Sequence, residues 1–334
     1  MYSDEDITSA VKAGVLTKET ATALREHVES NNPTPSVDEE SFRLISGFND
    51  IFVVIASLLL LISVTWIGSS ESYPLGFALQ TVTAWGLAEY FTRKRRMALP
   101  SIMLLLAFVA GVLVTGMLFL GAAGYTEKIS IGGPSFIAAL AAWLHWLRFK
   151  VPITVAAGTA TLVTGIMFIL LAFAPQTRQW ILPITFISGI VVFLLAMYWD
   201  SADTVRLTRR SDVAFWLHLI AAPLIVHPIF AMLNVFETEI GLGQAVAVTT
   251  LYVMLAIISI SIDRRALMVS ALIYVLYVFN AILQQYGVVS LGFAFTALII
   301  GSGLLLLSAY WHRCRQIIVA YYPQNIKKHL PSIK

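Results

Sequence analysis

Ser211–Leu233 reads SDVAFWLHLIAAPLIVHPIFAML, and it puts two histidines and two prolines inside one apolar run. As a helix rising 1.5 Å per residue, the run spans roughly 34 Å, enough to cross a hydrocarbon core of about 30 Å. Pro223 and Pro228 lack amide hydrogens, so the carbonyls of Leu219 and Leu224 lose their helical partners and must find others inside the membrane. A kink in this span is the expected result. His218 and His227 are nine residues apart and fall on opposite sides of a straight helix, so they are not a ready-made pair. His218 shares its side with Ala214, Ala221 and Ala222, a strip small enough to admit a neighbouring helix, while His227 shares its side with Asn234.

The rest of the chain has the same character. Of its 334 residues 58% are hydrophobic and only 12% are charged, with a mean hydropathy of +0.80. Soluble domains carry roughly 25% charged residues, so this composition excludes an ordinary globular enzyme. The net charge of +3 hides a division, because residues 1–47 hold nine Asp and Glu against four Lys and Arg. The basic excess after residue 47 reads first as a signal of membrane topology. A single cysteine, Cys314, excludes an intramolecular disulfide and any cysteine-clustered metal site. The acidic N-terminal stretch lacks an apolar core, so no cleavable signal peptide is expected.

Ten apolar runs follow residue 47, at about 48–68, 74–92, 98–121, 132–147, 152–173, 179–199, 212–233, 243–262, 266–286 and 289–311. The pattern predicts an all-α, polytopic transmembrane bundle of ten spans, preceded by a short soluble helical hairpin. Ile7, Ala10 and Val11 mark one face of a first short helix, Gly14 suits its left-handed stop, and Thr17 can cap a second helix carrying Ala21, Leu24 and Val28. The expected domains are an acidic cytosolic hairpin and tether over 1–40, a transmembrane domain over 41–312, and a basic cytosolic tail over 313–334. Within the second of these, SFRLISG at 41–47 is expected to lie along the interface as it leads into the first span.

With the N-terminus in the cytosol, alternate connections place 20 of the 22 Lys and Arg on that side, and only Lys128 and Arg178 opposite. Both termini are then cytosolic. Trp66 and Trp180 fall at outer ends, and Trp143, Trp146, Trp199, Trp216 and Trp311 at inner ends, the positions of an interfacial aromatic belt. Gly111, Gly116, Gly121, Gly158, Gly165 and the Ala297–Gly301 pair offer small surfaces for close helix contact. No internal repeat is visible.

Ionisable side chains within spans are costly and therefore candidates for function. Asp50, Glu89, His145, Asp212 and His218 fall toward the cytosolic third, and Arg178, His227, Asn234, Glu237 and Glu239 toward the outer side. These layers suggest two polar vestibules around an apolar middle, with Gln80 and Asn280 the strongly polar side chains that could reach further in. The functional interpretation is a permeation path lined by His218, His227, Asn234, Gln80, Asn280 and His145, the histidines changing charge near neutral pH. The structural alternative has His218 bonded to a carbonyl freed by a proline, Glu89 paired with the Arg93–Arg96 run, and Asp50 capping its helix. Bis-histidine haem ligation by His145 and His218 rests on a single pair and is not favoured, so no cofactor and no metal are expected. The chain has no H-E-x-x-H, G-x-S-x-G or G-x-x-x-x-G-K-[ST], hence no recognisable catalytic motif, and an enzyme is not expected. The Arg93–Arg96 run reads as an anchoring loop in contact with anionic headgroups rather than as a nucleic-acid site.

The N-terminal helical segment followed by SFRLISGFNDIFVVIASLLL, together with FWLHLIAAPLIVHPIF, resembles a group of bacterial inner-membrane proteins in which a small cytosolic helical domain precedes many spans. That group carries no established activity, so the resemblance transfers no catalytic residue; it implies placement in a bacterial inner membrane. The leading expectation is a secondary carrier or permease for a small solute, with 212–233 as its lining element. The alternative is a non-transporting scaffold or sensor that recruits a cytosolic partner through residues 1–40. The expected partners are the lipid bilayer, a small solute and a cytosolic protein, with no nucleic acid.

Overall fold

The computed structural model describes residues 4–31, 48–204, 206, 208–234, 241–285, 292–327 and 330–331. The expected tether and interfacial segment over 32–47 and the outer-side acids Glu237 and Glu239 lie outside these residues. The chain divides into two compact units, Met1–Ser41 and Phe42–Lys334.

In the first unit, α1 (Asp4–Lys12) and α2 (Lys18–Asn31) flank a turn in which Gly14 takes a left-handed φ of 73°. Thr17 Oγ1 accepts from the Thr20 amide at 3.2 Å, which satisfies one of the free donors at the start of α2. Ala21 is buried, whereas Val15 and Leu24 are exposed.

Among its described residues the second unit has helices joined by turns and no strand. The elements are α3 (Phe48–Ser69), α4 (Tyr73–Ala88), α5 (Ala98–Ala122), α6 (Glu127–Phe149), α7 (Ile153–Phe173), α8 (Ile181–Ser201), α9 (Arg209–Met232), α10 (Leu242–Ile262), α11 (Ala266–Gln285), α12 (Gly292–Ala309), α13 (Trp311–Ala320) and α14 (Gln324–Lys327). A π-helical turn, Glu89–Lys94, extends α4, and a 3-10 turn, Pro175–Trp180, leads into α8. Helices α3 to α12 thus occupy the ten apolar runs. Among the described residues, seven are long and apolar enough to cross a membrane: α3, α5, α6, α7, α8 with its preceding turn, α9 and α10. Within the stretch expected to be a basic tail, 313–334, the described residues include most of α13 and all of α14.

The outer surface of this unit is what lipid requires and water would not tolerate. Leu59, Ile62, Val191, Leu194, Ile273 and Leu305 are among many large apolar side chains left exposed. Helices in lipid gain little from burying apolar area against one another, so contact depends on how closely their backbones can approach. At the α3–α4 corner a Cβ on Gly68 would stand 2.7 Å from the Gly76 Cα, and on α8 a Cβ on Gly189 would stand 2.8 Å from the Leu224 carbonyl carbon. Gly111 and Gly116 likewise meet Thr81 and Pro134, but Gly121 and Gly301 face open space, so not every small residue marks a contact.

Helix α9 is the most deeply buried of the candidate spans and runs unbroken through Pro223 and Pro228. Ala214, Ala221 and Ala222 are essentially inaccessible, and Ala221 and Ala222 join Val213, Leu217, Val226 and Phe230 in the largest of the apolar clusters. A second cluster forms around Leu104, Leu105, Ala138 and Ala142 of α5 and α6. Five described residues with side chains, in the connections that follow helices, adopt the left-handed region: Arg96, Lys150, Arg206, Asn234 and Asp263 have φ between 51° and 59°. That conformation costs such residues about 1–2 kcal/mol, so each needs compensating contacts.

Candidate functional site

The compensation is clearest where α8 ends and α10 turns into α11. Asp200 lies in the last turn of α8 with its carboxylate wholly inaccessible. Arg264, in the turn after α10, grips it with Nη2 to Oδ1 at 2.7 Å and Nε to Oδ2 at 3.3 Å, and also donates from Nη2 to the Ser211 carbonyl at 3.1 Å. This two-point fork is the geometry that best offsets the desolvation of both ions. Its orientation is set by the chain itself. Asp263 ends α10 in the left-handed region, the Arg264 amide donates back to the Ser259 carbonyl, and Ser259 Oγ donates to the Arg264 carbonyl.

Arg206 completes a second layer. Its Nη1 donates to Asp263 Oδ2 at 2.9 Å, and its Nη2 donates to the carbonyls of Ile262 and Asp263 at 3.1 and 3.2 Å. A guanidinium here satisfies carbonyls left open at the C-terminus of α10 and complements the negative end of its dipole. The same Nη2 is 3.7 Å from Asp200, so one cation bridges both carboxylates. From α13, Trp311 Nε1 donates to Asp263 Oδ1 at 2.7 Å, and Arg315 lies 4.0 Å from Asp263 while donating to the Pro331 carbonyl at 2.6 Å. Three guanidiniums and two carboxylates, all nearly inaccessible, therefore tie the ends of α8, α9, α10, α11 and α13 to the chain's final described residues.

His218 enters this cluster from α9. Its side chain is 1% exposed, Nε2 lies 3.7 Å from Asp200 Oδ2, and the ring stands edge-on to Phe193 at 5.3 Å. Among the described residues neither ring nitrogen has a partner within hydrogen-bond distance. Its neighbour is thus a carboxylate rather than a backbone carbonyl freed by a proline, which corrects the structural alternative drawn from sequence. A slight approach would let an Nε2–H donate to Asp200, in direct competition with Arg264.

The other sequence candidates are dispersed. His145 is enclosed by Trp85, Phe108 and Phe149, with Thr154 Oγ1 at 3.4 Å from Nδ1. Its ring neighbours include none of those around His218. His227 lies on the exposed side of α9 and meets the Tyr274 hydroxyl of α11 at 2.8 Å. Asn234 is an exposed helix stop. Gln80 accepts from Thr65 Oγ1 at 2.8 Å and donates to the Ala107 carbonyl at 3.2 Å, joining α3, α4 and α5. It also lines a surface groove of about 660 Å³ with Thr65, Trp66, Tyr73 and Phe77. Asn280 is half-buried, and its Oδ1 has no partner among the described residues. Glu89 pairs with Arg93, as its sequence position implies, and also with Arg148, 59 residues away. Among the described residues no group of three His, Cys, Asp or Glu is arranged to hold a metal ion.

No family model, curated protein or solved structure matches this chain. Its chemistry has to be argued from the cluster itself. Sequence reasoning finds His218 but misses Asp200, Asp263 and the structural use of Arg206, Arg264 and Arg315, because all three arginines read in sequence as topological charges facing the cytosol. Trp311, expected in the interfacial belt, is instead a buried donor to Asp263. A usable signal is present: Asp200 and Asp263 are acids in short connections otherwise dominated by cations.

Proposed function

We propose that this integral membrane protein is a secondary transporter or permease for a small solute. Ten spans with both termini in the cytosol, in a bacterial inner membrane, give the arrangement that the distribution of Lys and Arg favours. In this reading α4, α11 and α12 also cross. Helix α9 is the moving element, and the Asp200–Arg264–Arg206–Asp263 cluster is a latch that holds the cytosolic ends of α8 to α11 together. The observation that carries the proposal is His218, inaccessible and 3.7 Å from the carboxylate that Arg264 grips. Buried ionisable groups are retained at a cost in stability, and a histidine beside a clamped aspartate supplies a charge change that can loosen the clamp. Opening follows when Asp200 exchanges Arg264 for His218.

The test compares metabolite accumulation in cells with the protein, without it, and with His218→Ala or Asp200→Asn. A solute whose distribution depends on the protein and changes with either variant supports the proposal. Identical profiles in all four strains refute it.

A second reading has an observation of its own. Met1–Ser41 is a compact unit of its own, with Val15 76% and Leu24 42% exposed. As a helical hairpin it would offer these side chains to a cytosolic protein, making the membrane body a scaffold. Deleting residues 1–40 spares solute flux in a carrier and abolishes partner recruitment in a scaffold.

A further inference from the structure

The densest run of cations, Arg93-Lys94-Arg95-Arg96, takes no part in the latch. It begins inside the π-helical turn Glu89–Lys94, and such widened turns recur where helices carry function. The turn sets these side chains in definite places. Arg93 Nη1 lies 3.3 Å from Glu89 Oε2, while Arg148 at the end of α6 donates to the same carboxylate from Nε at 2.7 Å and from Nη2 at 3.1 Å. Arg95 stands over the Tyr90 ring, 5.7 Å from its centroid, and donates to its hydroxyl at 3.3 Å. Glu89 is therefore shared by two guanidiniums, and among the described residues Lys94 and Arg96 have no acidic partner.

These side chains border a cleft of about 360 Å³ lined by Gly86, Glu89, Tyr90, Arg93 and Lys94. Gly86 leaves its floor open, since a Cβ there would meet nothing within 4 Å. Arg148 lies in the last turn of a helix long and apolar enough to cross a membrane, and the ends of such helices fall near the lipid phosphates. An exposed tyrosine beside clustered cations at that depth is the combination that holds anionic headgroups. A soluble anion would have to be drawn from water, whereas a lipid phosphate arrives by sliding along α4.

We propose that this cleft binds the phosphate of an anionic phospholipid. Arg93 and Lys94 supply the cations, Tyr90 lies against the glycerol, and the open surface at Gly86 receives the first acyl carbons. The site depends on the chain being a membrane protein but not on its being a transporter.

The experiment measures equilibrium binding of fluorescent phosphatidylglycerol to the full chain in mild detergent, with phosphatidylcholine and inorganic phosphate as competitors. At about 1 kcal/mol per cation, Arg93→Gln with Lys94→Gln is expected to weaken binding about thirtyfold. Gly86→Leu leaves every charge in place and is expected to weaken it at least tenfold by filling the floor. Phosphatidylcholine and inorganic phosphate should compete poorly. Unchanged affinity in Gly86→Leu would reduce the site to diffuse surface charge and overturn the proposal, and this result can be obtained even if the double variant fails to fold. Displacement by inorganic phosphate at the lipid's own concentration would overturn it as well, by assigning the cleft to a soluble anion. Absence of any solute flux with lipid binding intact would defeat the transport proposal and leave this one standing.

Discussion

Replacing Asp200 by asparagine keeps the size of the side chain and removes the charge that Arg264 grips. The guanidinium of Arg264 then keeps the Ser211 carbonyl and has a neutral amide oxygen in place of the carboxylate, so its charge is no longer balanced by Asp200, while Arg206 still has Asp263. Removing one member of a buried ion pair costs about 3–5 kcal/mol, because the other charge stays behind desolvated. For a unit of roughly 290 residues, with an unfolding entropy of about 2.1 cal/mol/K per residue, this corresponds to a melting temperature lower by about 5–8 °C. Thermal unfolding in detergent, followed by helical circular dichroism, measures the change directly. The decisive comparison adds Arg264→Met, which fills similar space without charge. If the cost of Asp200→Asn is the stranded guanidinium, the double variant must recover at least half of the loss, a coupling of about 2 kcal/mol. A single variant that melts within about 1 °C of the parent, or a double variant no better than the single, would refute the assignment of Asp200 as the hub.

Other outcomes follow from the same geometry. Trp311→Phe loses one hydrogen bond to a carboxylate and is expected to cost about 1.5–3 kcal/mol, read as a lower melting temperature. Gly189→Val forces a branched side chain onto the backbone of Leu224 and Ile225, and a cost of about 1–3 kcal/mol should appear as aggregation on size-exclusion chromatography. Gln80→Leu removes both polar links among α3, α4 and α5 and should cost about 0.6–1.7 kcal/mol in the same melt; a larger loss would mean that Gln80 organises more than these contacts. The ten-span orientation predicts that a green fluorescent reporter after Lys334 fluoresces, while an alkaline phosphatase fusion at Lys128 or Arg178 is active. Activity on the same side for all three positions would overturn it.

The membrane-bundle character and the position of every apolar helix were legible in sequence because both depend on local quantities. A helix in lipid must satisfy its own backbone, so a run of apolar residues specifies a helix almost regardless of its neighbours. The prominence of Ser211–Leu233 was legible for the same reason: an alanine strip beside a histidine marks a face that a neighbouring helix can approach closely, and Gly189 of α8 meets α9 one turn further on, at Leu224 and Ile225. What could not be read was pairing. Asp200 and Arg264 are separated by 64 positions, and Glu89 and Arg148 by 59. Nothing in either local sequence says that these side chains meet.

Counting Arg206, Arg264 and Arg315 as one-sided charge is sufficient for topology, because topology depends on which connection carries a cation and not on where its side chain ends. Sequence alone thus determined that its apolar runs form helices, that these suit a bilayer and that one face of α9 admits a close neighbour. Only the tertiary structure decided that three of those cations turn inward onto two aspartates, and that His218 rather than His227 stands beside them. The physical reason is distance. Hydropathy acts residue by residue along the chain, but an ion pair exists only where separately specified helix ends converge within about 4 Å.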